Sequence, residues 1–145
     1  MLHQTKRQTL MKNIFLFIVF PFFSNIISAQ TDNKIQINTL LDGWHKAAAN
    51  ANFENYFDAL TDDAIFIGTD ATENWTKSAF QPFAKPYFDN GKAWSFTTIE
   101  RHIYFSNDKK IAWFDELLNT QMKICRGSGI VVLIKGQWKI KHYVL

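Results

Sequence analysis

Three apolar segments in the last third of the chain constrain its fold more than any other feature. Residues 111–118, 124–134 and 138–145 are rich in β-branched and aromatic residues, and short polar stretches separate them. They are predicted to be consecutive antiparallel strands of one sheet. Each also carries polar residues: Asp115 and Glu116 in the first, Arg126 and Ser128 in the second, His142 in the third. A polar group facing a core must find a partner or suffer desolvation. These residues are therefore read as lining a pocket.

The N-terminus has a different character. Residues 14–23 are apolar apart from Pro21; Lys6, Arg7 and Lys12 precede them, and Ser24, Asn25 and Ile27-Ser28-Ala29 follow. A basic stretch, an apolar core and a small-residue cleavage site make a secretion signal. The apolar run is far shorter than the ~20 residues that span a bilayer, so no stable membrane span is expected after cleavage. Residues 1–29 are expected to be a cleaved signal, with Met11 as an alternative start. Residues 30–145 are then one exported domain, periplasmic or secreted. No Cys stands beside the cleavage site to carry a lipid.

Removing that segment changes the electrostatics. It holds three of the 16 basic residues and none of the 13 acidic ones, which leaves 13 of each and no net charge. With no basic stripe interleaved with aromatics, nucleic acid is not an expected partner. Cys125 has no second Cys to pair with and is expected to be a buried, inert thiol.

Helices come first in the remaining chain. Ile37, Leu40, Leu41, Trp44 and Ala48 share one helical face, and Thr31 or Asp32 is placed to cap its start. Thr31 to Lys34 also reads as a flexible tether once the signal is removed. Phe53, Tyr56, Phe57 and Leu60 mark a shorter helix, ended by Thr61-Asp62-Asp63 before a strand at 64–68. Residues 76–88 have helical spacing interrupted by Pro82 and Pro86, which predicts a kinked or broken helix. Asn90-Gly91 is a turn, and residues 93–105 alternate as a long strand. The order α, α, β, α, β, β, β, β implies an α+β domain, with helices packed on one face of a curved antiparallel sheet.

The helical pair followed by Asp62-Asp63-Ala64-Ile65-Phe66, and the closing Trp138-Lys139-Ile140-Lys141-His142, resemble the nuclear transport factor 2-like superfamily. Phe66-Ile67-Gly68-Thr69-Asp70, Trp113-Phe114-Asp115-Glu116 and Arg126-Gly127-Ser128-Gly129 resemble its SnoaL-like branch, and the resemblance spans residues 35–145. It implies a cone-shaped fold with helices on the concave face, a pocket between helices and sheet, and a homodimer through the sheet's outer face. Such domains usually run several residues past the step that is His142-Tyr143 here. No single activity is implied, because members include isomerases, cyclases, epoxide hydrolases, dehydratases and non-catalytic binding domains. Isomerase-like members use a Tyr on the first helix and an Asp ending the first strand. A gap-free alignment on Asp62-Asp63-Ala64 places Trp44 and Gly68 there, so that chemistry loses both groups.

The remaining candidates are judged singly. Asp70 reads as an Asx-turn residue or a pocket carboxylate, and Glu73 is assigned no function. Asp115 and Arg126 are expected opposite one another within about one residue of register, as an energetically coupled pair. They serve either a ligand or the outer face as a structural ion pair. Glu116 points the other way, toward solvent or a dimer contact. His142 alternates with Trp138 and Ile140, which directs it inward, either as a general acid or base or as a core histidine satisfied by a carbonyl. His45 is expected at a packing boundary and His102 without a partner. No metal-ligand spacing is present, and neither metal nor cofactor is expected. Gly127 and Gly129 lie inside a strand, where glycine marks a bend, a bulge or close backbone approach.

The foremost functional expectation is a pocket for a small, largely apolar molecule. Trp44, Tyr56, Trp94 and Trp113 would form its walls, with Arg126 and His142 orienting the ligand. The second is a small lyase, cyclase or hydrolase using His142, Asp115 and Asp70 as acid–base groups. The third is a structural homodimer without ligand.

Overall fold

The computed structural model describes residues 21–145, with side chains from Thr31 onward; residues 1–20, which hold much of the expected export signal, lie outside the described residues. The chain divides into two compact units, Met1–Ile35 and Gln36–Leu145, and the sheet belongs to the second. Helix α1 runs Pro21–Ala49 and α2 Phe53–Asp58; strands β1 and β2 are Leu60–Ile67 and Asn74–Thr76. Helix α3 is Lys77–Asp89, followed by β3 Phe96–Phe105, β4 Ile111–Thr120, β5 Lys123–Ile134 and β6 Gln137–Val144. No described helix is long and apolar enough to cross a membrane.

Thr31 and Asp32 are interior to α1 rather than caps or a tether. Gly43 is the only Gly or Pro between Phe22 and Ala49, so nothing nearby ends the helix sooner. The expected inward face of α1 is observed, with Ile37, Leu41, Trp44 and Ala48 buried. Helix α3 is unbroken despite its prolines. Thr76 caps it by accepting from the Ala79 N–H at 3.3 Å. Pro82 and Pro86 stand four residues apart on its exposed side, where the carbonyls they leave unpaired can meet water.

The sheet order is β2-β1-β6-β5-β4-β3. All pairs are antiparallel except β1 with β6, which run parallel. Thr61-Asp62-Asp63 lie inside β1, across an irregularity between Leu60, in register with Ile140, and Ile65, in register with His142. Strand β2 has three residues, too few to show a period in the sequence. Cys125 is half-buried, with its thiol 3.5 Å from the Thr120 hydroxyl.

The helices cover one face of the sheet, and the core lies between. Trp44, Tyr56, Phe114, Leu118, Ile140 and Tyr143 are fully buried there. On β4 the alternation is strict: Ala112, Phe114, Glu116 and Leu118 are buried, whereas Ile111 and Trp113 are exposed. Strand β6 breaks its alternation. Ile130 pairs with His142 and Val131 with Ile140, so Lys141 is an extra residue in a bulge. His142 therefore leaves the core face, and Tyr143 turns in.

Candidate functional site

A partly open cavity of about 230 Å³ lies between α3, β1, β2 and the start of β3. Its walls are aromatic: Phe66, Trp75, Phe80, Phe83, Trp94 and Phe96, with Tyr87 beside them. Phe66 stacks on Phe80 with centroids 4.5 Å apart, and Trp75 on Phe83 at 4.7 Å. The Trp75 indole N–H is buried and has no hydrogen-bond partner. Polar groups come from Thr69, Glu73 and Gln121. The Glu73 carboxylate folds back onto Gly68: a Cβ there would lie 1.9 Å from Glu73 Oε2. Glycine at 68 is what allows the carboxylate that position, and the Asp70 N–H donates to it at 3.3 Å.

Deeper in the core is a charged cluster. Glu116 is fully buried and accepts from His45 Nε2 at 2.8 Å and from the Tyr143 hydroxyl at 3.0 Å, both on Oε1. Arg101 supplies Oε2, from Nε at 2.8 Å and Nη2 at 2.7 Å. The other Arg101 donors reach Asn38, Asp42 and Thr98. Burial alone would raise the Glu116 carboxyl; the His45 hydrogen bond and the charges of His45 and Arg101 outweigh it and hold it below its usual range. Burial, reinforced by the neighbouring Glu116 charge, pushes the Tyr143 phenol far up. Burial does the same to Tyr56, which the Trp94 indole opposes only in part. Gly127 makes room for this cluster, since a Cβ there would meet the Tyr143 hydroxyl at 2.1 Å. None of these four polar residues borders the aromatic cavity; Phe96 does, and its ring lies 5.9 Å from that of His45.

The opposite face of the sheet carries a second, exposed cluster. Arg126 Nη1 donates to Asp115 Oδ1 at 2.5 Å, and His102 lies 3.5 Å from Asp115 and 3.3 Å from Glu100. Asp115 is in register with Ser128 and Arg126 with Leu117, so the pair is diagonal, two residues from direct opposition.

The residues singled out in the sequence thus fall into three places. Trp94 borders the cavity. Trp44 and Tyr56 are buried core residues behind it, stacked on each other at 5.0 Å. Trp113, Arg126, Asp115 and His142 lie on the outer face: Trp113 and Asp115 by the alternation of β4, Arg126 by that of β5, and His142 because of the bulge. Asp70 sits in an exposed turn, where its carboxylate accepts from the Thr72 hydroxyl at 2.6 Å and the Thr72 N–H at 2.8 Å. These bonds hold its pKa below the usual range. His142, Asp115 and Asp70 do not converge on one cavity.

Several placements differ from those expected of the sequence. Glu116 is internal rather than solvated, because β3 and α1 bring Arg101 and His45 to it from positions 15 and 71 residues away. Strand alternation did point it away from Asp115, the one signal available in the sequence. His102 has two carboxylate neighbours. Glu73, given no role in the sequence, is the carboxylate at the cavity.

A helix-covered, curved six-stranded sheet with a cavity at one end of its core defines the nuclear transport factor 2-like fold. Residues 37–145 match the SnoaL-like domain, and the chain belongs to that family. No curated protein matches it. Among solved structures it is similar to a nuclear transport factor 2-like protein of unknown function from Pseudomonas putida, at 15% identity and a TM-score of 0.66, covering 79% of this chain and 85% of that one. A proposed aromatic ring hydroxylase from Novosphingobium aromaticivorans is similar at 13% identity and 0.67, covering 79% and 87%. A proposed scytalone dehydratase from the same organism follows at 15% and 0.62, covering 79% and 85%. Identities this low establish the shared fold alone.

Proposed function

We propose that this protein is an exported binding domain that holds a small, largely apolar, ring-containing molecule in its aromatic cavity. The observation that carries this reading is the cavity itself, walled by seven aromatic residues, several of them stacked on one another. The cavity's 230 Å³ is comfortably larger than the ~150 Å³ that suffices for benzene. The names of two structural neighbours, a proposed ring hydroxylase and a proposed dehydratase, refer to ring-bearing or small-molecule chemistry of those proteins and are compatible with such a pocket. The mature chain should be recovered outside the cytoplasm, beginning near Gln30, as intact-mass measurement would reveal.

Binding only to the native state stabilises it by mass action, ~2.7 kcal/mol at a hundred times Kd. Benzyl alcohol, phenol and indole should therefore raise the melting temperature saturably. Thr69→Trp, which fills the cavity's rim from an exposed position, should abolish that response while leaving the unliganded melting temperature nearly unchanged. An unaltered melting temperature with every ring compound would remove the binding reading.

A second contact is suggested by the outer face. Tyr104, Trp113 and Ile130 are in register across β3, β4 and β5, and are 48, 48 and 37% exposed. Beside them, Glu100 and Asp115 stand with His102 and Arg126, so the face carries both signs and can complement a two-fold copy of itself. Trp113→Glu should convert a sedimenting dimer to monomer; a wild-type monomer at high concentration would rule this contact out.

A further inference from the structure

The charge of the cavity narrows its ligand, and this inference rests on the binding reading above. Among the described residues that border the cavity, seven are aromatic and one, Glu73, has a side-chain carboxylate, with no Lys, Arg or His. The charged side chain in this apolar lining is negative, so the cavity attracts positive charge and repels negative charge. The carboxylate's position is built in, because Glu73 packs where any side chain at Gly68 would collide with it. It is half-buried, and among the described residues its Oε2 has one hydrogen bond, from the Asp70 N–H at 3.3 Å. Asp70 and the turn it shapes add further negative charge at the rim and no cation.

We propose that the cavity takes a small organic cation, an alkylated ammonium whose head contacts the aromatic wall and Glu73. Cation–π attraction to several rings favours a diffuse, weakly hydrated ammonium over a primary one, which loses more hydration on entry. The cavity of about 230 Å³ limits the ligand to a compact head with a short arm.

The competing class is a neutral molecule of the same shape, and an isosteric pair separates the two. Choline and 3,3-dimethylbutan-1-ol differ in a nitrogen for a carbon and hence in charge, and benzyl alcohol reports on the cavity independently. Titration calorimetry on the mature chain should show choline binding at least about tenfold more tightly than its neutral isostere. Glu73→Gln should weaken choline about three- to tenfold and leave benzyl alcohol unchanged. If that variant fails to fold, raising the salt concentration with wild-type protein should weaken choline selectively. Equal affinity for choline and its isostere, or binding of benzyl alcohol alone, would overturn the cation proposal and leave the apolar pocket standing. Binding of no probe would overturn both.

Discussion

Asp115 and Glu116 are neighbours on one strand, and each is paired with one arginine and one histidine. Asp115 has Arg126 and His102; Glu116 has Arg101 and His45. Their settings differ completely: the Asp115 side chain is 30% exposed and Arg126 60%, whereas Glu116 is 0% and Arg101 4%. Water screens the outer pair, and long side chains lose entropy in making it, so its net contribution is small. The inner carboxylate has no water to fall back on. Four protein donors replace its hydration, and loss of the charged ones leaves the carboxylate uncompensated in the core. The same residue types thus make a surface decoration on one face of a strand and a structural strut on the other.

The contrast can be broken most decisively from the inside. Glu116→Ala leaves the buried Arg101 with Asp42 as its one remaining carboxylate among the described residues and should cost about 3–5 kcal/mol in urea denaturation. A loss below about 1 kcal/mol would mean that the two faces are energetically alike. Gly127→Ala attacks the same strut sterically, since its Cβ would meet the Tyr143 hydroxyl. It should cost about 1–3 kcal/mol, and combining it with Tyr143→Phe should cost less than the sum of the two single losses.

Acidity sharpens the comparison further. The Glu116 carboxyl is held below its ordinary value of 4.5. Its contribution to stability is therefore complete above that value and is lost as pH falls through the lower, folded-state pKa. Tyr143 behaves oppositely: its phenol is raised above 10.0, so its contribution is complete below pH 10.0 and declines as pH rises beyond it. Denaturation midpoints across pH should show both limbs. Tyr143→Phe should shrink the alkaline one without erasing it, because Tyr56 is raised too, and Glu116→Gln should likewise shrink the acid one, because Asp63, Asp70 and Asp108 also have lowered values. An acid limb unaltered in Glu116→Gln would assign that titration to the surface.

The smallest effect belongs outside. A double-mutant cycle on Asp115 and Arg126 should give a coupling of about 0.2–1 kcal/mol. A coupling of several kcal/mol would require that face to be covered, as the proposed second copy would do, and should then depend on protein concentration.

Much of this architecture is legible before folding because it depends on local periodicity. The α1 face through Ile37, Leu41 and Trp44, the three closing strands, and the opposite orientations of Asp115 and Glu116 all follow from spacings of 3.6 or 2 residues. Tertiary structure decided what periodicity cannot encode. One extra residue at Lys141 reverses His142 and Tyr143, because in a strand a single-residue shift exchanges faces. The β1–β6 pairing begins at Leu60 and resumes at Ile65, so Thr61 to Asp63 fall within a strand, although local sequence reads as a helix end. Glu116 becomes a satisfied core anion only when His45, Arg101 and Tyr143 arrive from three other elements. Glu73 becomes a cavity carboxylate only because Gly68 vacates the space beside it. A residue's face is set by its neighbours in sequence, whereas its partners and electrostatic environment are set by distant segments that only the folded chain brings together.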